Sequence, residues 1–234
     1  MRGKMKKFTL LELLIVIAVI GILLSLLLPS LGKAKYSVRK AVCASNQRQA
    51  GTGVLLFTKD YDKKFPDVQN HHNKAPYTTR VAYWTKTNKW YNLGKVYKKE
   101  YVSTGETFYC PQNAINGTTK LTFEYNSNEE KELEIHSGDY YIRVSYHLLP
   151  NKMSTTARRN LLLSKLESDD LFMSENIESK NSVAHRIYKT GWNITKIDSS
   201  VKFKYSQTAW SLIQAGSLSW DWDKAEKVKK ELLK

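Results

Sequence analysis

The hydrophobic and polar positions divide the chain into an apolar run, an amphipathic stretch and a mixed remainder. The run from Phe8 to Leu28 contains a single ionisable side chain, Glu12. As an α-helix rising ~1.5 Å per residue, this run is about 31 Å long, which matches a hydrocarbon core of ~30 Å. The pattern therefore predicts a membrane-spanning helix over residues 8–28.

Beyond Pro29 the apolar residues continue on one face of a helix, while lysines and arginines fill the other positions. The apolar positions recur at intervals near three and four, at Leu31, Ala34, Val38, Val42, Leu55 and Leu56. We expect one helix to about Lys59, kinked at Pro29 because proline removes a backbone donor. Gly51 and Gly53 each disfavour a helix by ~1 kcal/mol relative to Ala, so they mark its weakest part.

Short segments rich in β-forming residues follow, separated by polar turns. The predicted elements are a turn over Thr85–Lys89, a short helix within Leu93–Tyr101, strands over Lys120–Tyr125, Tyr140–Leu148 and Asp169–Glu175, a short helix over Leu161–Leu166, a hairpin of Trp192–Ile197 and Val201–Tyr205, and a closing helix over Lys224–Lys234 that docks on the sheet. The expected fold class is α+β: a long N-terminal helix packed on an antiparallel β-sheet, with residues 61–234 forming one globular domain.

Glu12 is the chemically unusual residue of the apolar run. A carboxylate inside an apolar membrane helix is unfavourable, so it is a functional candidate that needs a partner. Cleavage of the chain before Phe8 would create an α-amino group that is cationic at neutral pH. That cation would lie at the depth of Glu12 in a neighbouring copy, which makes Glu12 a candidate assembly residue.

The segment Met5–Glu12, with the sequence MKKFTLLE and an unbroken apolar helix after it, resembles the class III leader of type IV pilins and type II secretion pseudopilins. The resemblance implies that a prepilin peptidase cuts between Lys7 and Phe8, that Phe8 is N-methylated, and that Glu12 orders subunits in a filament. The family has Gly immediately before the cut, where this chain has Lys7. The implied organisation is a leader over residues 1–7, a helix over 8–60 and an extracytoplasmic domain over 61–234.

The same resemblance supplies the location and the partners. It implies a single-pass protein of the bacterial inner membrane, with a cytoplasmic N-terminus and an ectodomain that is periplasmic or part of an extracellular filament. Its partners would be the prepilin peptidase, other pilin or pseudopilin subunits and the membrane itself. Charge does not decide the orientation, because four basic residues precede the helix and five follow it closely.

The sequence contains two cysteines, Cys43 and Cys110. Without a C-x-x-C pair or a cysteine and histidine cluster at zinc spacing, it predicts no metal site, and His185 is interpreted as isolated. The cysteines could form a disulfide outside the cytoplasm or remain two buried thiols. A subgroup of long pseudopilin-like paralogues resembles this chain at Cys43, Asn46, Gln49, Gly51, Tyr61, Phe65-Pro66 and Phe108–Pro111. That resemblance implies that Cys43 pairs with Cys110.

The net charge of +15 falls to +11 (15 − 4) without the four basic leader residues, so the ectodomain could bind anionic polymers such as DNA or acidic glycan. Trp84 and Trp90 beside lysines could form a stacking platform, although such residues are commonly half-buried strand positions. No nucleotide loop, nucleophile elbow or metalloprotease motif is present, so neither an enzyme nor a cofactor is predicted. The alternatives to a filament subunit are a membrane-anchored protein that does not polymerise and an ectodomain that binds anionic polymers.

Overall fold

The computed structural model describes residues 9–67, 81–85, 88–115, 121–130, 132–134, 139, 141–148, 170–177, 183–185, 190–215 and 222–234. The chain divides into two compact units, one up to Val38 and one from Arg39 onward. The helix predicted over Leu161–Leu166 lies outside the described residues.

The first unit is the apolar part of a long helix, α1, which runs from Leu10 to Asp60. The helix predicted from residue 8 to about 59 is therefore confirmed over the described residues. Every side chain from Thr9 to Ser30 is exposed. Pro29 lies inside the helix and does not end it.

In the second unit, one face of α1 is buried. The buried positions recur every three or four residues, as in a helix packed against a core, at Cys43, Gln47, Ala50, Val54 and Phe57. Gly53 also lies on this side: a Cβ built there would be 2.5 Å from Val102 Cγ2 and 3.2 Å from the carbonyl oxygen of Tyr101. The absence of a side chain thus allows close approach of another segment, which is why a residue unfavourable for a helix is accommodated there.

The strands form two antiparallel sheets. Their bounds are β1 Val81–Trp84, β2 Lys89–Trp90, β3 Tyr141–Arg143, β4 Tyr146–Leu148, β5 Leu171–Glu175, β6 Gly191–Lys196 and β7 Val201–Tyr205. One sheet has the order β2-β1-β3 and the other has the order β4-β5-β6-β7. Asn193 pairs with Phe203 between β6 and β7, so the predicted hairpin around Asp198-Ser199-Ser200 is confirmed. The expected α+β class with antiparallel strand pairing is confirmed as well, but the strands are divided between two sheets where the sequence predicts one.

Short helices complete the described part of the chain. They are α2 Asn92–Lys98, α3 Gln112–Ile115, α4 Gln207–Gln214 and α5 Trp222–Leu233, with 3-10 helices over Gly105–Phe108 and Glu124–Asn126. α2 and α5 match predicted helices. α4 was not predicted; Ser206 caps it, with its Oγ accepting a 3.1 Å hydrogen bond from the amide of Ala209.

Two hydrophobic clusters fill the interior of the second unit. The larger cluster packs the buried face of α1 against both sheets. The smaller one contains Trp192 of β6, Ile213 of α4, and Val228 and Leu232 of α5. The closing helix therefore buries one face in a cluster that also contains sheet residues, and its main neighbour is α4.

Two strand predictions are wrong. Residues 121–126 contain a 3-10 helix in place of the predicted strand. Backbone groups hydrogen-bond within the segment and not to a neighbouring strand: the amide of Asn126 donates to the carbonyl of Phe123 over 3.0 Å. The predicted strand Tyr140–Leu148 is divided into β3 and β4, which belong to different sheets. The break occurs where the amide of Ser145 leaves the ladder and donates to the carbonyl of Phe108 over 2.9 Å.

Candidate assembly helix and a buried disulfide cluster

Glu12, the predicted assembly residue, lies in the first turn of α1. The amide and hydroxyl of Thr9 each donate to Glu12 Oε2 over 2.8 Å, and the amide of Glu12 donates to Thr9 Oγ1 over 3.2 Å. This reciprocal pattern is a capping box, which satisfies amide groups at the helix N-terminus. A carboxylate has further lone pairs, so the cap does not use up its capacity to accept. The role of Glu12 between subunits stays a prediction.

The apolar part of α1 meets the length and composition of a membrane span. Its most apolar 18-residue window has a mean hydropathy of 3.0, and none of that window is buried within the protein. The predicted cleavage site between Lys7 and Phe8 lies outside the described residues. The coarse prediction of a membrane anchor is therefore consistent with the structure, whereas cleavage and orientation stay predictions.

Cys43 and Cys110 form a disulfide in the second unit, with 5.0 Å between their Cα atoms. The bond joins the buried face of α1 to the segment after the first 3-10 helix. The amide of Cys110 donates to Ser145 Oγ over 3.0 Å, and the Tyr146 hydroxyl donates to the carbonyl of Cys43 over 3.3 Å. Burial, and secondarily the negative charge of Glu175, raises the pKa of Tyr146 well above its ordinary value.

A buried pair of ionisable side chains lies against this disulfide. His185 Nε2 is 3.1 Å from Glu175 Oε1, and both side chains are almost completely inaccessible. The same ring nitrogen is 3.7 Å from Cys110 Sγ. We call Cys43, Cys110, Glu175 and His185 the buried cluster; one ligand-type atom from each residue lies within 4.8 Å of every other.

Asn193 fixes the orientation of the Glu175 carboxylate. Its backbone amide donates to Oε2 over 3.1 Å, and its side-chain Nδ2 donates to Oε1 over 2.7 Å. Nδ2 also donates to the carbonyl of Lys40 on α1 over 3.3 Å. Adjacent strands supply the two residues, because Glu175 ends β5 and Asn193 lies within β6. The antiparallel pairing of these strands thus brings the carboxylate and its donors together.

Sequence reasoning did not find Glu175, His185 or Asn193. The four members of the buried cluster are dispersed between residues 43 and 185, and no short motif contains more than one of them. Within the sequence, the indication of this site is one charged residue, Glu175, at the end of the apolar strand β5. Its partner could not be chosen without the strand order.

Of the two tryptophans in the predicted stacking platform, Trp90 packs on neighbouring aromatic rings, whereas the side chain of Trp84 lies outside the described ones. The ring of Trp90 has its centroid 5.1 Å from that of Tyr83 and 6.0 Å from that of Tyr97. All three rings are partly buried against the larger hydrophobic cluster. Trp90 therefore occupies a half-buried strand position, as in the alternative interpretation, and the structure gives the platform no support at this residue.

Comparisons with protein-family models, with curated proteins and with solved structures find no match. The features of the chain that bear on its function are therefore residues 5–12 of the sequence, the exposed apolar helix, and the α+β fold of the second unit.

Proposed function

We propose that this chain is a pilin-like structural subunit that is anchored in a membrane by α1 and polymerises through helix packing. The observation that carries the proposal is the exposed apolar segment of α1 with one carboxylate in its first turn. In this proposal a prepilin peptidase removes residues 1–7, Phe8 becomes the N-methylated first residue, and the product joins a secretion pseudopilus or a type IV pilus-like filament. The chain is then the substrate of an enzyme and not itself an enzyme.

The apolar segment of α1 suits both the membrane-anchored precursor and the subunit assembled in a filament. Its leucine, isoleucine and valine side chains have no covering partner within the described part of the chain. A lipid bilayer covers such a surface before assembly, and neighbouring helices cover it in a filament. The fold of the second unit, with the amphipathic half of α1 packed on antiparallel sheets, is compatible with a pilin-like layout.

Glu12 has one role within its own chain and a second, proposed role between chains, and a substitution can distinguish the two. Within one chain it caps α1 through Thr9. Between chains it would pair with the free amine of Phe8 in a neighbour, and that pair needs a negative charge. Glutamine retains an amide oxygen for the capping box but lacks the charge, so the two roles respond differently to the same substitution.

The decisive experiment is intact mass measurement with N-terminal sequencing of the protein from its native membrane. The expected product begins at N-methylated Phe8. A chain that retains residues 1–7 would contradict processing, and would favour a membrane-anchored protein that does not polymerise.

A second experiment tests the role of Glu12 in assembly by comparing membrane and sheared-filament fractions by immunoblotting. Glu12→Gln and Glu12→Leu should both reach the membrane at wild-type levels and both be lost from filaments. Ser25→Ala is a matched control and should assemble normally, because within the described part of the chain the Ser25 hydroxyl donates to the carbonyl of Ile22 in its own helix and to no other group. Normal incorporation of Glu12→Gln would show that Glu12 acts only as a helix cap.

A further inference from the structure

The buried cluster combines two sulfur atoms, one imidazole nitrogen and one carboxylate oxygen at a single point. Thiolate, imidazole and carboxylate are the three ligand types that bind Zn²⁺ in proteins, and four such ligands complete a tetrahedral site. The two sulfurs are joined here as a disulfide. In the oxidised chain they are therefore not thiolates and do not bind the metal.

The remaining separations already resemble those of a tetrahedral zinc site. With Zn–S near 2.3 Å and Zn–N and Zn–O near 2.0–2.1 Å, adjacent ligands lie about 3.5 Å apart for nitrogen and sulfur and about 3.3 Å apart for nitrogen and oxygen. His185 Nε2 is 3.7 Å from Cys110 Sγ and 3.1 Å from Glu175 Oε1. The two sulfurs must separate to about 3.8 Å once the bond between them is broken. One ligand-type atom from each of the four residues already lies within 4.8 Å of every other.

We propose that the chain with reduced cysteines binds one Zn²⁺ ion through Cys43, Cys110, Glu175 and His185. A phosphine reductant and water convert the disulfide into two thiols and a phosphine oxide, and Zn²⁺ binding then releases the two thiol protons. In the reverse direction a small-molecule disulfide accepts the two electrons of the zinc-bound thiolates by thiol–disulfide exchange and, with two protons, becomes two thiols, while the Cys43–Cys110 bond re-forms and Zn²⁺ is released. The disulfide and the zinc ion are thus alternative cross-links at one position.

One feature of the cluster favours a metal, and its net charge does not oppose one. Asn193 donates to both oxygens of Glu175, which holds the carboxylate as a ligating residue is commonly held. Two thiolates, one carboxylate and neutral imidazole carry three negative charges, and Zn²⁺ reduces that charge to one. The zinc form therefore buries no more net charge than the Glu175 carboxylate does alone, and it places a cation among the buried anions.

The test uses the full chain in detergent micelles, unfolded in urea with a phosphine and returned to native buffer with Zn²⁺ or with Co²⁺. Unfolding is required because Cys43 and Cys110 are 0% and 2% exposed. The expected result is about one Zn²⁺ per chain after desalting, and the intense visible absorption of tetrahedral thiolate-bound Co²⁺. Chain refolded with its disulfide intact should retain no metal and show no such absorption.

The variants His185→Gln and Glu175→Gln should each lower zinc retention by at least tenfold. His147→Gln is the matched control: this histidine is also buried in the second unit, its Nε2 lies 3.2 Å from Asn176 Oδ1, and it is not one of the four proposed ligands, so its variant should retain zinc. Retention that is equal in wild type and in His185→Gln, or equal in the oxidised and reduced chains, would overturn the proposal.

Wild-type protein alone provides a measurement that does not depend on the folding of the variants. If the reduced chain fails to refold with Zn²⁺ while the oxidised chain refolds, zinc does not replace the disulfide and the proposal is wrong. Neither outcome affects the filament proposal, because the cleavage site and Glu12 belong to the other unit.

Discussion

Loss of the Cys43–Cys110 disulfide should lower the free energy of unfolding of the second unit by about 4 kcal/mol. The cysteines are 67 residues apart, and a cross-link that closes a loop of this length reduces the entropy of the unfolded chain by about that amount. Replacing both residues by Ala also removes two buried sulfur atoms, which costs about 1 kcal/mol each in lost burial. Because domains are typically stable by ~5–15 kcal/mol, the double variant has little stability left.

Urea unfolding followed by tryptophan fluorescence measures this change. All six tryptophans lie at or beyond position 84, so the signal does not report on the membrane helix. With a slope of ~2 kcal/mol per M urea, a loss of about 4 kcal/mol moves the midpoint down by about 2 M. The proteins to compare are oxidised wild type, reduced wild type and the Cys43→Ala/Cys110→Ala variant, all in detergent and with a metal chelator present.

The chelator is essential, because a zinc ion held by the reduced cysteines would conceal the loss. A midpoint shift below ~0.5 M on reduction, which is about 1 kcal/mol, would refute the reasoning from loop entropy. A further decrease from reduced wild type to the alanine variant isolates the packing contribution of the two sulfur atoms.

Two other substitutions test particular contacts of the second unit. Gln47 is 0% exposed, and neither of its amide atoms has a hydrogen-bond partner among the described residues, so Gln47→Leu should raise the free energy of unfolding by about 1 kcal/mol. A lower urea midpoint in that variant would instead indicate that the amide has a partner. The hydroxyl of Tyr101 donates to Asp60 Oδ2 over 2.7 Å, which raises the pKa of Tyr101 from 10.0 to about 12. Since the raised pKa belongs to the folded state, the stabilisation is complete below pH 10 and is lost as pH rises through 12. Asp60→Asn should bring the pKa of Tyr101 back towards 10.0 in a tyrosinate absorbance titration, assigned with Tyr101→Phe; an unchanged titration would contradict the role of Asp60.

The elements predicted correctly are those whose signals are local. The hairpin over residues 191–205 has two β-forming segments around a polar turn, and Ser199 adopts a positive φ of 62° within that turn. The closing helix shows apolar residues at helical spacing, and Val228 and Leu232 are indeed buried. The continuation of α1 beyond Pro29 was predictable for the same reason. In each case the residues that determine the element lie within it. The buried face of α1 was not predictable, and the predicted face is wrong because the side chains that meet the core are Cys43, Gln47, Ala50, Val54 and Phe57. Most of the predicted apolar positions are exposed instead, namely Leu31, Ala34, Val38, Val42 and Leu56.

The errors occur where distant residues determine the backbone. Nothing in Tyr140–Leu148 indicates that Ser145 bonds the carbonyls of Phe108 and Leu121, yet these bonds divide the predicted strand. Helix α4 was missed although Ser206 offered an N-cap, because no acidic residue follows at the third helical position to strengthen the signal. The residues of the buried cluster come together only after the pairing of β5 with β6 is known.

Asn193 helps to attach strand β6 to the buried cluster and to α1 through hydrogen bonds that do not depend on whether the cysteines are oxidised or reduced. Through one side-chain amide it joins Glu175 to the carbonyl of Lys40, and the amide of Gly191 at the start of the same strand donates to the carbonyl of His185 over 3.0 Å. Strand β6 is thus bonded to two cluster residues and to α1 by contacts that involve no sulfur atom. Conversion of the disulfide into a zinc site changes the positions of the two sulfur atoms, and none of these three hydrogen bonds has to break for that change. We therefore expect the pairing of β5 with β6 and the attachment of β6 to α1 to persist when one cross-link replaces the other.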